Sequence, residues 1–335
     1  MRAAQVTRFG DPSVLITTDL PDPVPAPGEV LIDVAYADTI FVETQIRSGW
    51  GGEYFPVTPP YVPGGGVAGV VSALGPDVPA EWLGRRVISF VTGAYAERAV
   101  AATSALTVVP DSLDLLQAAA LVHDGVTSTG LLELTAVTEA DRVLILGASG
   151  GMGTLLVQLA HARGARVVGV ARGEAKLALV RDLGADAVVD ATSPDWPALA
   201  RHALGGPDGA ADVVLDGIGG ELGARAFPLT ADGGRFSAHG APTGGFAPLD
   251  PTEAKSRDIT LFGIGDVQFS PSDLTRLTTY ALGEAAAGRL RAVIGEVFSL
   301  EEAGEAHRAV EGRELLGKVV LKGRPETQVP AGRRQ

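Results

Sequence analysis

A glycine-rich loop between an apolar strand and a helix constrains the fold of this chain most strongly. The apolar run at 142–146 leads into Gly147-Ala148-Ser149-Gly150-Gly151-Met152-Gly153, and an apolar segment with helical spacing follows. A dinucleotide pyrophosphate needs close backbone approach at a helix N-terminus, where N–H groups and the helix dipole favour negative charge. The loop has the A-x-G-x-x-G form of that motif, and a turn that serves topology alone is the alternative. The residues predicted to bind the dinucleotide are Ser149, Gly150, Gly151, Met152 and Gly153.

Strands and helices alternate from residue 142 to residue 263. This alternation predicts parallel βαβ units, and six strands favour a doubly wound Rossmann sheet. The predicted strands are 142–146, 166–171, 187–189, 212–216, 234–238 and 260–263, and the predicted helices include 151–163, 174–183 and 196–204. An Ala- and Leu-rich stretch with helical spacing precedes them at 115–134.

The two ends of the chain have a different residue pattern from the central segment. Short apolar runs at 29–36, 67–74 and 86–91 are separated by Pro and Gly clusters, which predicts a β-rich module. Near the other end, Ser299 and Glu302 have capping-box spacing and 318–321 is typical of a strand that returns to the first domain. The sequence therefore predicts an α/β protein with a β-rich domain, 1–120 plus 290–324, and an inserted Rossmann domain, 121–289. The polar end 325–335 is predicted to be disordered.

The residue after the second predicted Rossmann strand bears on which nicotinamide cofactor binds. An NAD enzyme places Asp or Glu there for the ribose hydroxyls. This chain has Arg172, with Lys176 one turn into the next helix, and both can pair with a 2′-phosphate. We predict NADPH rather than NADH. Because Glu174 lies between the two, ordinary solvated charges at a helix start are the alternative.

Composition excludes several other classes of protein. The chain has no Cys, which excludes disulfides, a thiolate nucleophile and a cysteine-bound zinc. Its formal net charge of -13 disfavours nucleic acid and anionic membranes as partners. No apolar run reaches the roughly 20 residues that span a bilayer. We predict a cytoplasmic, metal-free protein with a small-molecule ligand.

Several ordered motifs together resemble one known family. They are 46–49 (IRSG), 62–71 (VPGGGVAGVV), 124–127 (DGVT), 148–153, 183–186 (LGAD), 216–220 (DGIGG), 233–235 (GGR) and 317–321 (GKVVL). Over nearly its full length the chain resembles the zinc-free quinone oxidoreductase (zeta-crystallin-like) branch of the medium-chain dehydrogenase/reductase superfamily. The resemblance implies a GroES-like catalytic domain formed by both ends of the chain, an inserted Rossmann domain, a cofactor in the cleft between them, and commonly a homodimer.

The resemblance also implies roles for particular residues. It places Gly150, Gly151 and Gly153 at the pyrophosphate and Lys176 with Arg172 at the 2′-phosphate. It places Thr127 at the nicotinamide end of the cofactor and Arg313 on the adenosine side. It also implies that Gly217 and the loop 240–245, which contains Gly240, border the cofactor.

The chain departs from the family pattern at four places. It has Ile40-Phe41-Val42-Glu43 where an Asn-x-x-Asp segment is usual, Gln45 and Ala191 where tyrosines are usual, and Gly64-Gly65-Gly66 where the zinc-dependent branch has Gly-His-Glu. The first three departures alter the expected substrate and phosphate contacts. The fourth makes Lewis-acid alcohol dehydrogenation unexpected.

The predicted NADPH site and the expected lack of a metal together predict hydride transfer from NADPH to an electron-poor acceptor. A quinone is the first candidate acceptor and an α,β-unsaturated carbonyl (an enone or enoyl compound) is the second. Thr127, His123 and Asp124 are the predicted catalytic residues, although a structural role for His123 and Asp124 at a helix turn is the alternative. His239 is a weaker candidate. From another class, a non-catalytic NADPH-binding redox sensor stays open.

Overall fold

The structure is a computed structural model that describes residues 1–52 and 55–323. The end predicted to be disordered, 325–335, lies outside the described residues. The helices are α1 Phe41–Ser48, α2 Leu115–Ala120, α3 Asp124–Leu134, α4 Gly151–Ala162, α5 Glu174–Asp182, α6 Trp196–Ala203, α7 Gly220–Ala226, α8 Pro251–Ser256, α9 Pro271–Ala286 and α10 Ala303–Gly312. The strands are β1 Arg2–Val6, β2 Leu15–Asp19, β3 Glu29–Asp38, β4 Gly66–Leu74, β5 Arg86–Phe90, β6 Arg98–Ala102, β7 Leu106–Val108, β8 Arg142–Leu146, β9 Arg166–Ala171, β10 Ala187–Asp190, β11 Ala211–Asp216, β12 Thr230–Ala238, β13 Thr260–Phe262, β14 Ile294–Ser299 and β15 Lys318–Lys322.

The chain divides into two compact units, each built from segments that are distant in sequence. Unit 1 comprises Met1–His123, Thr278–Arg289 and Ile294–Gln335, and unit 2 comprises Asp124–Leu277 and Leu290–Val293. The domain bounds drawn from the sequence differ from these mainly by assigning all of α9 to the Rossmann domain, and they stay a prediction.

Unit 2 contains a six-stranded parallel sheet in the order β10-β9-β8-β11-β12-β13. This is the doubly wound Rossmann order, in which the direction of winding reverses between β8 and β11. The middle strands are apolar on both faces, as a sheet covered by helices on both sides requires. Val143, Leu144 and Ile145 of β8 are fully buried, as are Val213 and Val214 of β11.

Unit 1 is built around the long strand β3. Its seven-stranded sheet runs β14-β15-β3-β4-β5-β7, with β6 also paired to β3, and β1 and β2 form a separate hairpin. All pairs in the larger sheet are antiparallel except β14 with β15. Because β15 lies beside β3, the end of the chain supplies side chains to the same sheet as its beginning. The fold is thus the predicted GroES-like and Rossmann combination.

The stretch with helical spacing at 115–134 is interrupted in a way that matters for the site. The helical stretch at 115–134 is two helices, α2 and α3, separated by a turn at 121–123. The backbone N–H of His123 in that turn donates to Asp38 Oδ2 over 3.2 Å, so a contact from a distant strand replaces the helical pattern. Among the described residues, no helix is long and apolar enough to cross a membrane.

Candidate active site

The glycine loop of unit 2 joins β8 to α4 at the carboxyl edge of the sheet, where winding reverses. Gly147 has a φ of 72°, and the N–H of Gly150 donates to its carbonyl over 3.0 Å. A β-carbon on Gly153 would lie 2.2 Å from the Gly147 oxygen, so only glycine lets α4 approach the strand end this closely. Gly153 is therefore required by packing inside the loop, whatever the loop binds.

Gly150 has the opposite surroundings. It is exposed, it caps α4 with an extended backbone, and the nearest atom to a β-carbon there would be 3.5 Å away. Gly151 and Met152 follow as half-buried residues of the first turn, and Ser149 is buried. The first N–H groups of a helix have no partner within it, so this turn offers donors beside open space. That combination suits a pyrophosphate.

The next predicted site residues follow β9. Arg172 is exposed, Gly173 caps α5 with a φ of 81°, and Lys176 is half-buried on the first turn of that helix. The neighbouring strand β10 ends in Asp190, whose Oδ1 accepts from the Gly173 N–H over 3.5 Å and from the Thr192 N–H over 2.9 Å. The sequence analysis missed this carboxylate beside the predicted phosphate site.

The loops after β11 and β12 pack on each other at the same edge of the sheet. A β-carbon on Gly240 would lie 2.1 Å from the Gly217 carbonyl carbon, so the packing of the two loops requires a glycine at Gly240. Asp216 Oδ1 accepts from the N–H groups of Ile218 and Gly219 over 2.9 Å each, and burial raises the pKa of this carboxyl.

His239 is a buried neutral imidazole in the second of these loops. Its Nδ1 lies 3.1 Å from Ser237 Oγ, and burial lowers its pKa to about 4. A β-carbon on Gly217 would lie 3.5 Å from its Nε2, so the ring turns this nitrogen towards the other loop. At neutral pH His239 carries no charge, which makes it a hydrogen-bonding group rather than an acid.

Helix α3 brings Thr127 to the same part of unit 2. It packs on α4, and Ser128 Oγ donates to the Met152 carbonyl over 3.3 Å. Thr127, one residue earlier, is half-buried, and Asp124 at the start of α3 is buried. The structure thus gathers Thr127, the glycine loop, Gly217 and Gly240 within one unit.

His123 lies in unit 1, where it belongs to a buried charged cluster. Its Nδ1 is 2.6 Å from Asp38 Oδ2, and the Lys318 ammonium is 2.5 Å from Asp38 Oδ1. The side chain of Asp38 has no exposure and that of Lys318 only 4%, whereas His123 is 22% exposed. Burial by itself would raise the pKa of Asp38, but Lys318 and His123 outweigh it, so the pKa lies below its ordinary value.

Glu43 lies close to this cluster, on helix α1. Burial raises the pKa of its carboxyl, and a hydrogen bond from the Gly64 backbone opposes the shift in part. Glu43 stands where the resemblance expects an Asp, so an acidic group is retained there. Asp38, Lys318 and Glu43 were missed by the sequence analysis, although a charged residue at the end of an apolar strand was a usable signal for the first two.

Arg313 is placed in unit 1 as well. It follows α10 in the left-handed conformation, with a φ of 55°, and its guanidinium lies 5.4 Å from the centre of the Phe41 ring. Its predicted contact with the adenosine side of a cofactor stays a prediction.

Comparison with known proteins matches both units. The family model described as "Alcohol dehydrogenase GroES-like domain" matches residues 26–111, and the one described as "Zinc-binding dehydrogenase" matches residues 151–277. Quinone oxidoreductase of Mus musculus is 31% identical over 326 residues, which cover 96% of this chain and 97% of the relative. The chain belongs to the quinone oxidoreductase family of medium-chain dehydrogenases/reductases.

Two further proteins are similar to this chain over nearly its full length, one named for another reductase activity and one with a solved structure. 2-Haloacrylate reductase of Burkholderia sp is 29% identical over 328 residues, covering 95% of this chain and 98% of the relative. A mycobacterial protein solved in complex with NADPH is 31% identical, with a TM-score of 0.88 and coverage of 96% of this chain and 100% of that one.

The zinc in the description of one family model can be tested against the side chains of this family member. Zinc sites use Cys, His, Asp and Glu in groups of three or four. The chain has no Cys, and within residues 1–52 and 55–323 no three His, Asp or Glu side chains are grouped to hold a metal ion. The described residues therefore do not fit a zinc centre.

Proposed function

We propose that this chain is an NADPH-dependent reductase that transfers hydride to a quinone. The observation that carries the proposal is the loop at Gly150, which presents open space beside the first turn of α4. The Mus musculus relative, named quinone oxidoreductase, supports the reaction, and the mycobacterial structure with NADPH supports the cofactor.

The cofactor would be held mainly by unit 2. Gly150, Gly151 and the N–H groups of the first turn of α4 suit the pyrophosphate. Arg172 and Lys176 would pair with the 2′-phosphate, because an NAD enzyme would carry an acid where Arg172 stands. Thr127 would border the nicotinamide, which supplies the hydride when bound. The protein's own part is to position the acceptor and supply a proton.

A second candidate acceptor is an α,β-unsaturated carbonyl compound. The Burkholderia relative is named for reduction of 2-haloacrylate, an acid of this electron-poor type. An enone and a quinone both accept hydride at a carbon conjugated to a carbonyl group, so one cofactor site serves either substrate.

Binding and turnover measured on the same sample test the proposal. We expect NADPH to bind more tightly than NADH, and 1,4-benzoquinone or an enone to cause its oxidation. Tight NADPH binding without oxidation across a panel of both acceptor classes would favour the non-catalytic redox sensor. Preference for NADH would contradict the cofactor assignment.

The phosphate site can be tested by charge removal. Arg172→Ala and Lys176→Ala should each weaken NADPH binding about tenfold while changing NADH binding little, because one charged contact with a phosphate contributes roughly 1.4 kcal/mol or more. Arg181→Ala is the matched control, since Arg181 lies on α5 but pairs at the surface with Glu174 over 3.3 Å. Unchanged NADPH affinity in both site variants would refute the assignment.

We further propose that the protein is cytoplasmic and that its active form is a homodimer, the latter supported by the family resemblance. Light scattering coupled to size-exclusion chromatography should give twice the mass of the 34.3 kDa chain. A mass of one chain at micromolar concentration would contradict it.

A further inference from the structure

We propose that His123 donates the proton that completes reduction of an α,β-unsaturated carbonyl substrate, with Asp38 and Lys318 as the residues that position it. The inference rests on the proposed function and deepens it, because it names the acceptor class for which this side chain matters. Three elements of unit 1 meet at the cluster: Asp38 ends β3, Lys318 begins β15, and His123 lies in the turn after α2.

The hydrogen bonds fix which nitrogen of the ring is available. Asp38 Oδ2 accepts from both the His123 N–H and the ring Nδ1, over 3.2 Å and 2.6 Å. With Nδ1 held by the carboxylate, proton exchange is left to Nε2. The partial exposure of His123 connects the ring with solvent, whereas Asp38 and Lys318 are both buried.

The charges of the cluster are balanced at the carboxylate that holds the ring. Lys318 neutralises Asp38 through its other oxygen, so the carboxylate can stay ionised although it is buried. The ionised carboxylate in turn holds His123 Nδ1 through its second oxygen, over 2.6 Å. Glu43 on α1 is the other acidic group near the ring, and burial favours its neutral form.

The ring packs against an aromatic side chain and two glycines, and it stays 22% exposed. Phe90 of β5 packs edge-on against it, with ring centres 4.9 Å apart. A β-carbon on Gly65 would lie 3.1 Å from both Cε1 and Nε2, and one on Gly66 would lie 3.1 Å from Cε1 and Nδ1. Glycines at these two positions therefore leave room at the ring that any larger residue would occupy.

The chemistry explains why the acceptor class matters. Hydride adds to the β-carbon of the enone, and the electron pair of the C=C bond moves to form an enolate. The His123 Nε2–H bond then breaks as a C–H bond forms at the α-carbon, and the neutral imidazole takes a new proton from solvent. Protonation at carbon benefits from a positioned acid. A reduced quinone instead ends as an aromatic hydroquinone, which needs protons only on its oxygens, and water supplies these readily.

The test compares His123→Gln with the wild-type protein on an enone and on 1,4-benzoquinone, each with NADPH. Positioned proton transfer contributes about 100-fold or more, so we expect kcat for the enone to fall at least tenfold further than kcat for the quinone. His202→Gln is the control, because His202 is exposed on unit 2. Equal losses with both acceptors, or no loss, would overturn the inference.

The pH profile and chemical rescue separate proton donation from a structural role. For the wild type, kcat with the enone should fall as pH rises through one inflection that His123→Gln lacks. Added imidazole should restore enone turnover to His123→Ala. An inflection that persists without His123, or His123→Ala that imidazole fails to rescue, would contradict proton donation.

The outcomes also distinguish this inference from the proposed function. A wild-type protein that oxidises NADPH with neither acceptor would refute the function itself. A wild-type protein that turns over both acceptors while His123→Gln loses equal activity on each would refute the role of His123 alone. NADPH affinity of each variant shows that the cofactor-binding unit is folded.

Discussion

At the scale of single residues, buried charge is the feature that most restricts substitution. Asp38 and Lys318 are both buried and bridge β3 and β15 over 2.5 Å. Such a pair gains little over apolar residues of similar volume, but removing one partner leaves the other charge buried and unpaired. The pair therefore contributes little to the stability of the fold. A substitution of one residue is nevertheless tolerated well only when the other residue is substituted too.

Asp38→Asn should lower the free energy of unfolding by roughly 3–5 kcal/mol, because it removes the charge that compensates Lys318. The double variant Asp38→Asn/Lys318→Met should recover most of that loss, since no unpaired charge remains. Urea unfolding of both variants and the wild type provides the measurement. If the double variant proves no more stable than the single one, the explanation by unpaired charge is wrong.

At the scale of elements, the glycine loop shows two different reasons for glycine within four residues. Gly153 is needed where α4 touches the strand end, and Gly150 leaves an open surface at the helix start. The same motif thus contains one position that packing dictates and one that a ligand would explain. Substitution separates the two.

Gly153→Ala should destabilise the protein by about 1–3 kcal/mol, because overpacking a close contact outweighs the better helix propensity of Ala. Gly150→Ala should cost about 1 kcal/mol or less, since its β-carbon meets nothing nearer than 3.5 Å, yet weaken NADPH binding about tenfold. Thermal unfolding and NADPH titration of the two variants distinguish them. Equal stability losses would contradict this division of roles.

The Rossmann elements were largely predictable from sequence, and the charged cluster was not. Strands β8 and β9 match their predicted bounds, because buried parallel strands are continuous apolar runs. The turn at His123 depends on a carboxylate 85 residues earlier, and Asp38 meets Lys318 only because β15 pairs with β3. Local pattern carries no information about such pairings, so it gave no sign of the turn between α2 and α3 and left Asp38 and Lys318 out of the site.

At the scale of the whole molecule, buried neutral histidines link stability to pH. Burial lowers the pKa of His239 to about 4, and burial with the nearby Arg47 charge lowers that of His307 to about 3. In the unfolded chain both return to about 6.5. The unfolded state therefore binds protons that the folded state does not, so the stability they contribute is present above about pH 6.5 and is lost as pH falls, towards about 4 for His239 and about 3 for His307. Glu43 and Asp216, whose pKa values burial raises, act in the opposite direction.

The buried histidines and the buried carboxyl groups change the free energy of unfolding with pH in opposite directions. Comparison of a variant with the wild type therefore isolates the contribution of one group better than the total pH dependence of the wild type does. His307 Nε2 lies 3.1 Å from the Tyr95 hydroxyl, and His307→Gln keeps a hydrogen-bonding group there without a titrating ring. Between pH 7 and pH 5 the variant should lose about 1–2 kcal/mol less stability than the wild type in urea unfolding. His202→Gln, at an exposed site, should keep the wild-type slope. A His307→Gln slope equal to that of the wild type would mean that His307 is already protonated, or reached by water, in the folded protein.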